Sequence, residues 1–279
     1  MGNGETSGRD RAPHPRLRIL VALAAVLLGA QSAAGASASA SVRVRVAAAA
    51  DLKFALDAVL VAFAEDVGRA AAIDVDVVYG SSGMLATQIR DGAPFDIFLS
   101  ADEAYVDPLV SANLTRGPGS LYAIGRLVLF SPRGSALTAT SWPGSIVALL
   151  ESGTVPRLAI ANPAHAPYGR AAESALRARG LWERLQPRLV LGENVAQAAQ
   201  FATSGNAAAG LIALALAMSP PLADAGNYVL VPESDHTPLK QRMVLLARAP
   251  AQAAELFAYL QQPRARSILA RFGFSTPSA

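Results

Sequence analysis

Two strand–turn–helix junctions follow one another near the start of the chain, and their order restricts the possible folds. Residues 42–50 predict a strand that enters a core, and Asp51 then precedes an amphipathic helix. Residues 74–78 predict a second strand, which leads through a turn at 80–83 into another helix. Alternating strands and helices are typical of parallel sheets, which bind ligands at the carboxyl ends of their strands. The sequence therefore predicts an α/β fold.

The turn at 80–83 has the composition of an anion-binding turn. It reads Gly80, Ser81, Ser82, Gly83 and leads directly into the predicted helix. The first turn of a helix has unpaired N–H groups and the positive end of the helix dipole, and serine hydroxyls add further donors. A purely structural alternative stays open at this point, in which Ser82 is only the N-cap of the helix.

The first 40 residues have the pattern of a secretory signal peptide. Four arginines precede an apolar run at 19–28, and small residues follow up to Ala38, Ser39 and Ala40. We therefore expect cleavage after Ala40 and export to a periplasm. The formal net charge of the whole chain is +3. The leader accounts for +2 of this, since its four arginines face Glu5 and Asp10, so the remainder carries +1. A net charge this close to zero does not favour a nucleic-acid partner. The absence of cysteine excludes disulfides and zinc–thiolate sites.

From about residue 121 the pattern of strands and helices indicates a second lobe inserted into the first. We predict that the first lobe comprises residues 41–122 and 232–279, and that the second comprises residues 123–231. Predicted strands at 228–232 and 242–247 are assigned to the first lobe or its edge. The charged segment at 240–242 is interpreted as a solvated surface.

Four turns stand at predicted helix starts, two in each lobe. They contain Asp51, Ser82, Tyr168 and Val195. If these turns converge on the cleft between the lobes, their amides and hydroxyls surround a small anion with neutral donors. Such donors suit an oxyanion, because a fixed lysine or arginine in a closed pocket would lose much of its hydration.

Several short motifs then occur in a specific order. They are AAADLKFAL at 48–56, the Ser81–Ser82 pair with LATQI at 85–89, GAPFDIFLSAD at 92–102, NPAHAPYG at 162–169, ENV at 193–195 and LARFGF at 269–274. In this order and spacing they resemble the periplasmic molybdate-binding proteins of ABC importers. The resemblance implies a two-lobed periplasmic-binding-protein-like II fold. Each lobe would be a mainly parallel sheet flanked by helices, with the ligand in the interlobe cleft.

The resemblance also implies which residues contact the oxyanion. Ser82 would donate through its hydroxyl and its amide, Val195 through its backbone N–H, and Tyr168 through its amide or its hydroxyl. Asp51 stands where the family commonly has serine or asparagine, and Ala213 stands where one branch has tyrosine. Because a carboxylate would repel a dianion, we expect the Asp51 side chain to turn away and cap its helix, with only a backbone N–H directed at the ligand.

The function that the resemblance implies is capture of molybdate, with tungstate nearly indistinguishable. The protein would not be an enzyme, would need no cofactor, and would contact the metal only through its oxo ligands. Its partners would be a membrane permease and the ATPase of the importer, and we expect a monomer that binds no nucleic acid.

Three other functions stand as alternatives to this one. One is a binder of sulfate, phosphate or an organic anion. Another is a serine hydrolase in which Ser82 pairs with His165, although no nucleophile-elbow motif supports it. The third, a ligand-sensing domain of a transcription factor, is disfavoured by the leader and by the lack of a DNA-binding segment.

Overall fold

A computed structural model describes residues 41–68 and 72–276 of the chain. The predicted leader and its cleavage site lie outside these residues. Within the described ranges, no helix is both long enough and apolar enough to cross a membrane.

The strands of the described chain form two sheets of five. The first sheet has the order β2-β1-β3-β10-β4 and the second the order β7-β6-β8-β5-β9. The strands are β1 (Val42–Ala49), β2 (Ile73–Gly80), β3 (Ile97–Ser100), β4 (Ser120–Gly125), β5 (Leu127–Pro132), β6 (Leu158–Ala161), β7 (Leu189–Gly192), β8 (Ala209–Ala213), β9 (Gly226–Leu230) and β10 (Leu239–Leu245).

Each sheet is mainly parallel and contains one reversed strand. In the first sheet β1 runs parallel to β2 and β3, whereas β10 is antiparallel to both of its neighbours. The second sheet repeats this arrangement, with β6 parallel to β7 and β8 and with β5 as the reversed strand. The predicted α/β fold with a mainly parallel sheet in each of two lobes is confirmed.

Helices cover both sheets. The α-helices are α1 (Lys53–Phe63), α2 (Ser82–Arg90), α3 (Asp107–Ser111), α4 (Gly144–Glu151), α5 (Pro167–Ala178), α6 (Trp182–Leu185), α7 (Val195–Thr203), α8 (Leu214–Ala217), α9 (Pro220–Ala223), α10 (Ala251–Tyr259) and α11 (Pro263–Arg271). Short 3₁₀ turns at 50–52, 103–105, 186–188 and 233–235 and a π turn at 64–68 complete the described helical segments.

The central strands are buried along their whole length, as expected for sheets that are covered on both faces. Strands β3, β6 and β8 contain only buried residues. Ala49, Ala50 and Ala101, at the carboxyl ends of first-sheet strands, belong to the hydrophobic cluster that forms the core around the second sheet. The two lobes therefore meet at the carboxyl ends of these strands.

The chain crosses between the sheets twice, after β4 and after β9. Arg126 separates β4 in the first sheet from β5 in the second. The assignment of 228–232 to the first lobe is wrong, because β9 pairs with β5, with Tyr228 opposite Phe130. The alternating pattern at 228–232 predicts a strand, but it does not predict which strand pairs with it. The lobe boundaries at 122 and 232 stay predictions.

Candidate functional site

All four predicted turns meet at one small cavity between the lobes. The cavity has a volume of about 10 Å³, far below the range of roughly 300–1,000 Å³ that is usual for drug-sized ligands. Its lining residues are Ala49, Ala50, Asp51, Gly80, Ser81, Ser82, Ala101, Ala166, Pro167, Tyr168, Asn194 and Val195. Among the residues that the structure describes, no lysine, arginine or histidine lines it. The structure thus brings Asp51, Ser82, Tyr168 and Val195 together.

Ser82 is the first residue of α2 and is fully buried. Its Oγ accepts a hydrogen bond from the Ala101 N–H at 3.0 Å. A hydroxyl that accepts one bond still has its own proton to donate. The reading of Ser82 as the N-cap is wrong, because the N-cap position belongs to Ser81. Ser82 can therefore direct a hydroxyl donor towards a guest in the cavity.

Asn194 organises the amide donors at the start of α7. Its side-chain Oδ1 accepts from the N–H groups of Ala196 and Gln197, each at 3.0 Å, so Asn194 is the N-cap of the helix. Val195 is the first residue of the helix, and first-turn amides have no helical carbonyl to bond. The Val195 N–H is consequently available beside the cavity.

Tyr168 lies in the first turn of α5 and is almost completely buried. Within the described residues its hydroxyl oxygen has no hydrogen-bond partner. Burial, together with the neighbouring Asp51 carboxylate, raises the pKa of the Tyr168 phenol well above its ordinary value. The hydroxyl therefore keeps its proton and can act as a neutral donor.

Asp51 does not cap its helix as expected. Ala49 is the N-cap of the 3₁₀ turn at 50–52, and no side chain bonds to that cap. The Asp51 Oδ2 atom instead accepts from Gln241 Nε2, whose Oε1 accepts from the Tyr122 hydroxyl at 2.7 Å. Its Oδ1 atom is buried and has no partner among the described residues.

Burial raises the pKa of Asp51 to about 6. The Gln241 amide, the nearby Tyr168 hydroxyl and the backbone amides of Asp51 and Leu52 oppose this shift without cancelling it. Removal of a carboxylate from water disfavours its charged form, and here that effect is larger than the stabilisation by neighbouring donors. Asp51 is thus a buried carboxyl with weakened acidity.

Gln241 and Tyr122 were missed by the sequence analysis. The segment at 240–242 was interpreted as solvated, yet Gln241 is fully buried. The alternation of side chains along the strand could have indicated this burial, since Gln241 shares a face of β10 with the buried residues Leu239 and Met243. Ala213, the other departure from the family pattern, is buried but does not line the cavity.

Comparison with known proteins agrees with this architecture. The family model described as bacterial extracellular solute-binding protein matches residues 44–275, which is most of the chain. The chain belongs to this family.

Among its relatives is the molybdate-binding protein ModA of Rhodobacter capsulatus, which is 35% identical over 72% of this chain and 77% of its own. The ModA of Azotobacter vinelandii is 34% identical over 92% of this chain and 96% of its own. The solved structure of the periplasmic molybdate-binding protein of Azotobacter vinelandii superposes with a TM-score of 0.76. This superposition has 29% identity and covers 84% of this chain and 100% of that one.

His165 of this solute-binding protein bridges the lobes. Its carbonyl oxygen accepts from the Gly83 N–H at 3.0 Å and from Ser81 Oγ at 2.6 Å. Its ring Nδ1 lies 3.0 Å from the same Ser81 hydroxyl. The hydrolase alternative required a pair with Ser82, but the ring contacts Ser81. Nearby, Arg170 of α5 donates to Asp102 of the first lobe at 2.6 Å and stacks on the Tyr105 ring. These contacts join the lobes outside the cavity.

Proposed function

We propose that this protein captures molybdate, and also the nearly indistinguishable tungstate, for an ABC importer. The observation that carries the proposal is the small cavity between the lobes, which is lined by neutral donors from both lobes and by no cationic side chain among the described residues. The names of the relatives with 34–35% identity support the choice of ligand.

The donors divide between the two lobes. Ser82 comes from the first lobe, while Tyr168 and Val195 come from the second. A guest bound by all three is stabilised only when the lobes are together, so the free energy of anion binding favours closure. Closure also removes water from the anion, which strengthens each charge-assisted hydrogen bond.

The proposed setting follows from the same resemblance. The leader would be removed after Ala40, and the remaining chain would work as a monomer in the periplasm. A membrane permease would then recognise the closed, loaded form, and its ATPase would drive release.

Isothermal titration of the leader-free chain with molybdate, tungstate, sulfate and phosphate tests this function. We expect dissociation constants below about 1 μM for molybdate and tungstate and much weaker binding of the other two. Equal or tighter binding of sulfate or phosphate would assign a different ligand. Labelling of a serine by a fluorophosphonate probe would instead support the hydrolase alternative.

A further inference from the structure

Asp51 is the one ionisable carboxyl among the residues that line the cavity. It is fully buried, and its two oxygen atoms are not equivalent. The Tyr122 hydroxyl donates to Gln241 Oε1, which orients the Gln241 amide so that Nε2 donates to Asp51 Oδ2. Since Oδ2 is occupied as an acceptor, a proton on this carboxyl would reside on Oδ1, the atom without a partner in the described chain.

An ionised Asp51 beside a bound dianion would place like charges in one small space in which the carboxyl is poorly hydrated. Like charges at short range in such a space repel strongly, and the usual response is uptake of a proton by the weaker acid. The proposed guest is the anion of a stronger acid than a carboxylic acid buried in this way. Asp51 is therefore the group that takes up the proton.

No neighbouring positive charge offsets the repulsion between an ionised Asp51 and the bound dianion. The titratable groups packed against Asp51 are the phenols of Tyr122 on β4 and Tyr168 on α5, and burial raises the pKa of both well above the ordinary value. Lys53 follows in α1, but its ammonium group is about half exposed and pairs with Asp57. His165 stands behind Ser81, where its ring also approaches Glu193 at 3.7 Å.

We propose that Asp51 is a neutral carboxylic acid in the anion-loaded protein, so that capture of one dianion takes up one proton from solvent. This inference rests on the proposed function. The balance is simple: an ionised Asp51, a solvent proton and the dianion give the protonated side chain with the dianion bound. The Oδ1–H group then serves as a donor, as a side-chain amide would in the same place. The site consequently consists of neutral donors throughout.

The buried environment shifts Asp51 towards this state before any anion arrives, since burial raises its pKa to about 6, but the anion-free side chain is still mainly ionised near pH 7.5. A dianion in the cavity shifts it further in the same direction. This shift sets how the affinity for the anion depends on pH. Affinity is highest below the pKa of Asp51 in the free protein and falls by about tenfold per pH unit between the free and the bound values.

The test is calorimetric proton counting with molybdate as the probe. Titrations near pH 7.5 in two buffers with different heats of ionisation, for example Tris and PIPES, give the number of protons taken up per anion. We expect close to one proton for the wild type and close to none for Asp51→Asn, which should bind molybdate with little pH dependence. Glu151→Gln, a change at an exposed carboxylate far from the cavity in sequence, should keep the wild-type count.

Binding of molybdate by the wild type without proton uptake would overturn the inference and leave the proposed function standing. Tight binding of hydrogenphosphate without proton uptake would also overturn it, because an ionised Asp51 would then be accepting the proton of the ligand. If molybdate gives no binding heat at all, the proposed function fails, and this inference fails with it. The number of protons that the wild type takes up per anion tests the inference even if Asp51→Asn does not fold.

Discussion

Ser81 and His165 contact each other twice across the cleft between the lobes. The Ser81 hydroxyl donates to the His165 carbonyl oxygen at 2.6 Å, and the His165 ring Nδ1 lies 3.0 Å from the same hydroxyl oxygen. Ser81 lines the cavity and His165 does not, and neither residue supplies one of the proposed anion donors. The two adjacent serines thus differ in role, since Ser81 bonds to the other lobe and Ser82 is the proposed anion donor.

Ser81→Ala should weaken anion binding by about 0.5–1.5 kcal/mol, the usual net value of one hydrogen bond. The loss should appear mainly as faster release, because the bond exists only when the lobes are together. Stopped-flow fluorescence of molybdate release would measure it. An unchanged release rate would show that this contact does not contribute to closure.

Ser82→Ala should weaken binding more, by about 1–3 kcal/mol, since it removes a hydrogen bond to a charged group. It also leaves the Ala101 N–H without its acceptor. Isothermal titration of both serine variants under the same conditions provides the comparison. A smaller effect at position 82 than at position 81 would contradict the assignment of Ser82 as an anion donor.

Gly125→Ala should impair binding although position 125 lies outside the cavity lining. A Cβ atom there would overlap the Tyr168 hydroxyl and lie 2.9 Å from Gln241 Nε2. Tyr168 and the Gln241–Asp51 pair would both have to move, and we expect a loss of at least about 1.4 kcal/mol, or tenfold in affinity. Titration together with circular dichroism, which checks that the variant is folded, would measure the effect. Wild-type affinity would mean that the Tyr168 hydroxyl is free to shift without consequence.

Asp51 should also give the ligand-free protein a characteristic pH dependence of stability. Its folded-state pKa is raised from 3.8 to about 6, so the wild type loses stability as pH rises from about 4 to about 6. Above that window Asp51→Asn should be more stable than the wild type by up to about 3 kcal/mol, and below pH 4 the difference should vanish. Urea unfolding of both proteins across this range isolates the contribution of one carboxyl. A constant difference at all pH values would mean that Asp51 is hydrated when no anion is bound.

Much of the site could be predicted from local sequence. The turn of small residues at 80–83 and the helix that follows it were predicted from neighbouring residues alone. These features depend on neighbours within a few residues, because helix starts and caps are formed by local hydrogen bonds. The order of strands and helices likewise indicated the α/β fold.

Other features depended on which strands become neighbours. The pairing of β9 with β5 and the burial of Gln241 on β10 were missed, since alternation indicates a strand but not its partner. The environment of Asp51 depends on Gln241, which is 190 residues away along the chain. The sequence by itself determined where the amide and hydroxyl donors would stand, because local geometry places them. Only the tertiary structure decided the protonation chemistry of Asp51, because its burial and its hydrogen-bond partners come from distant segments.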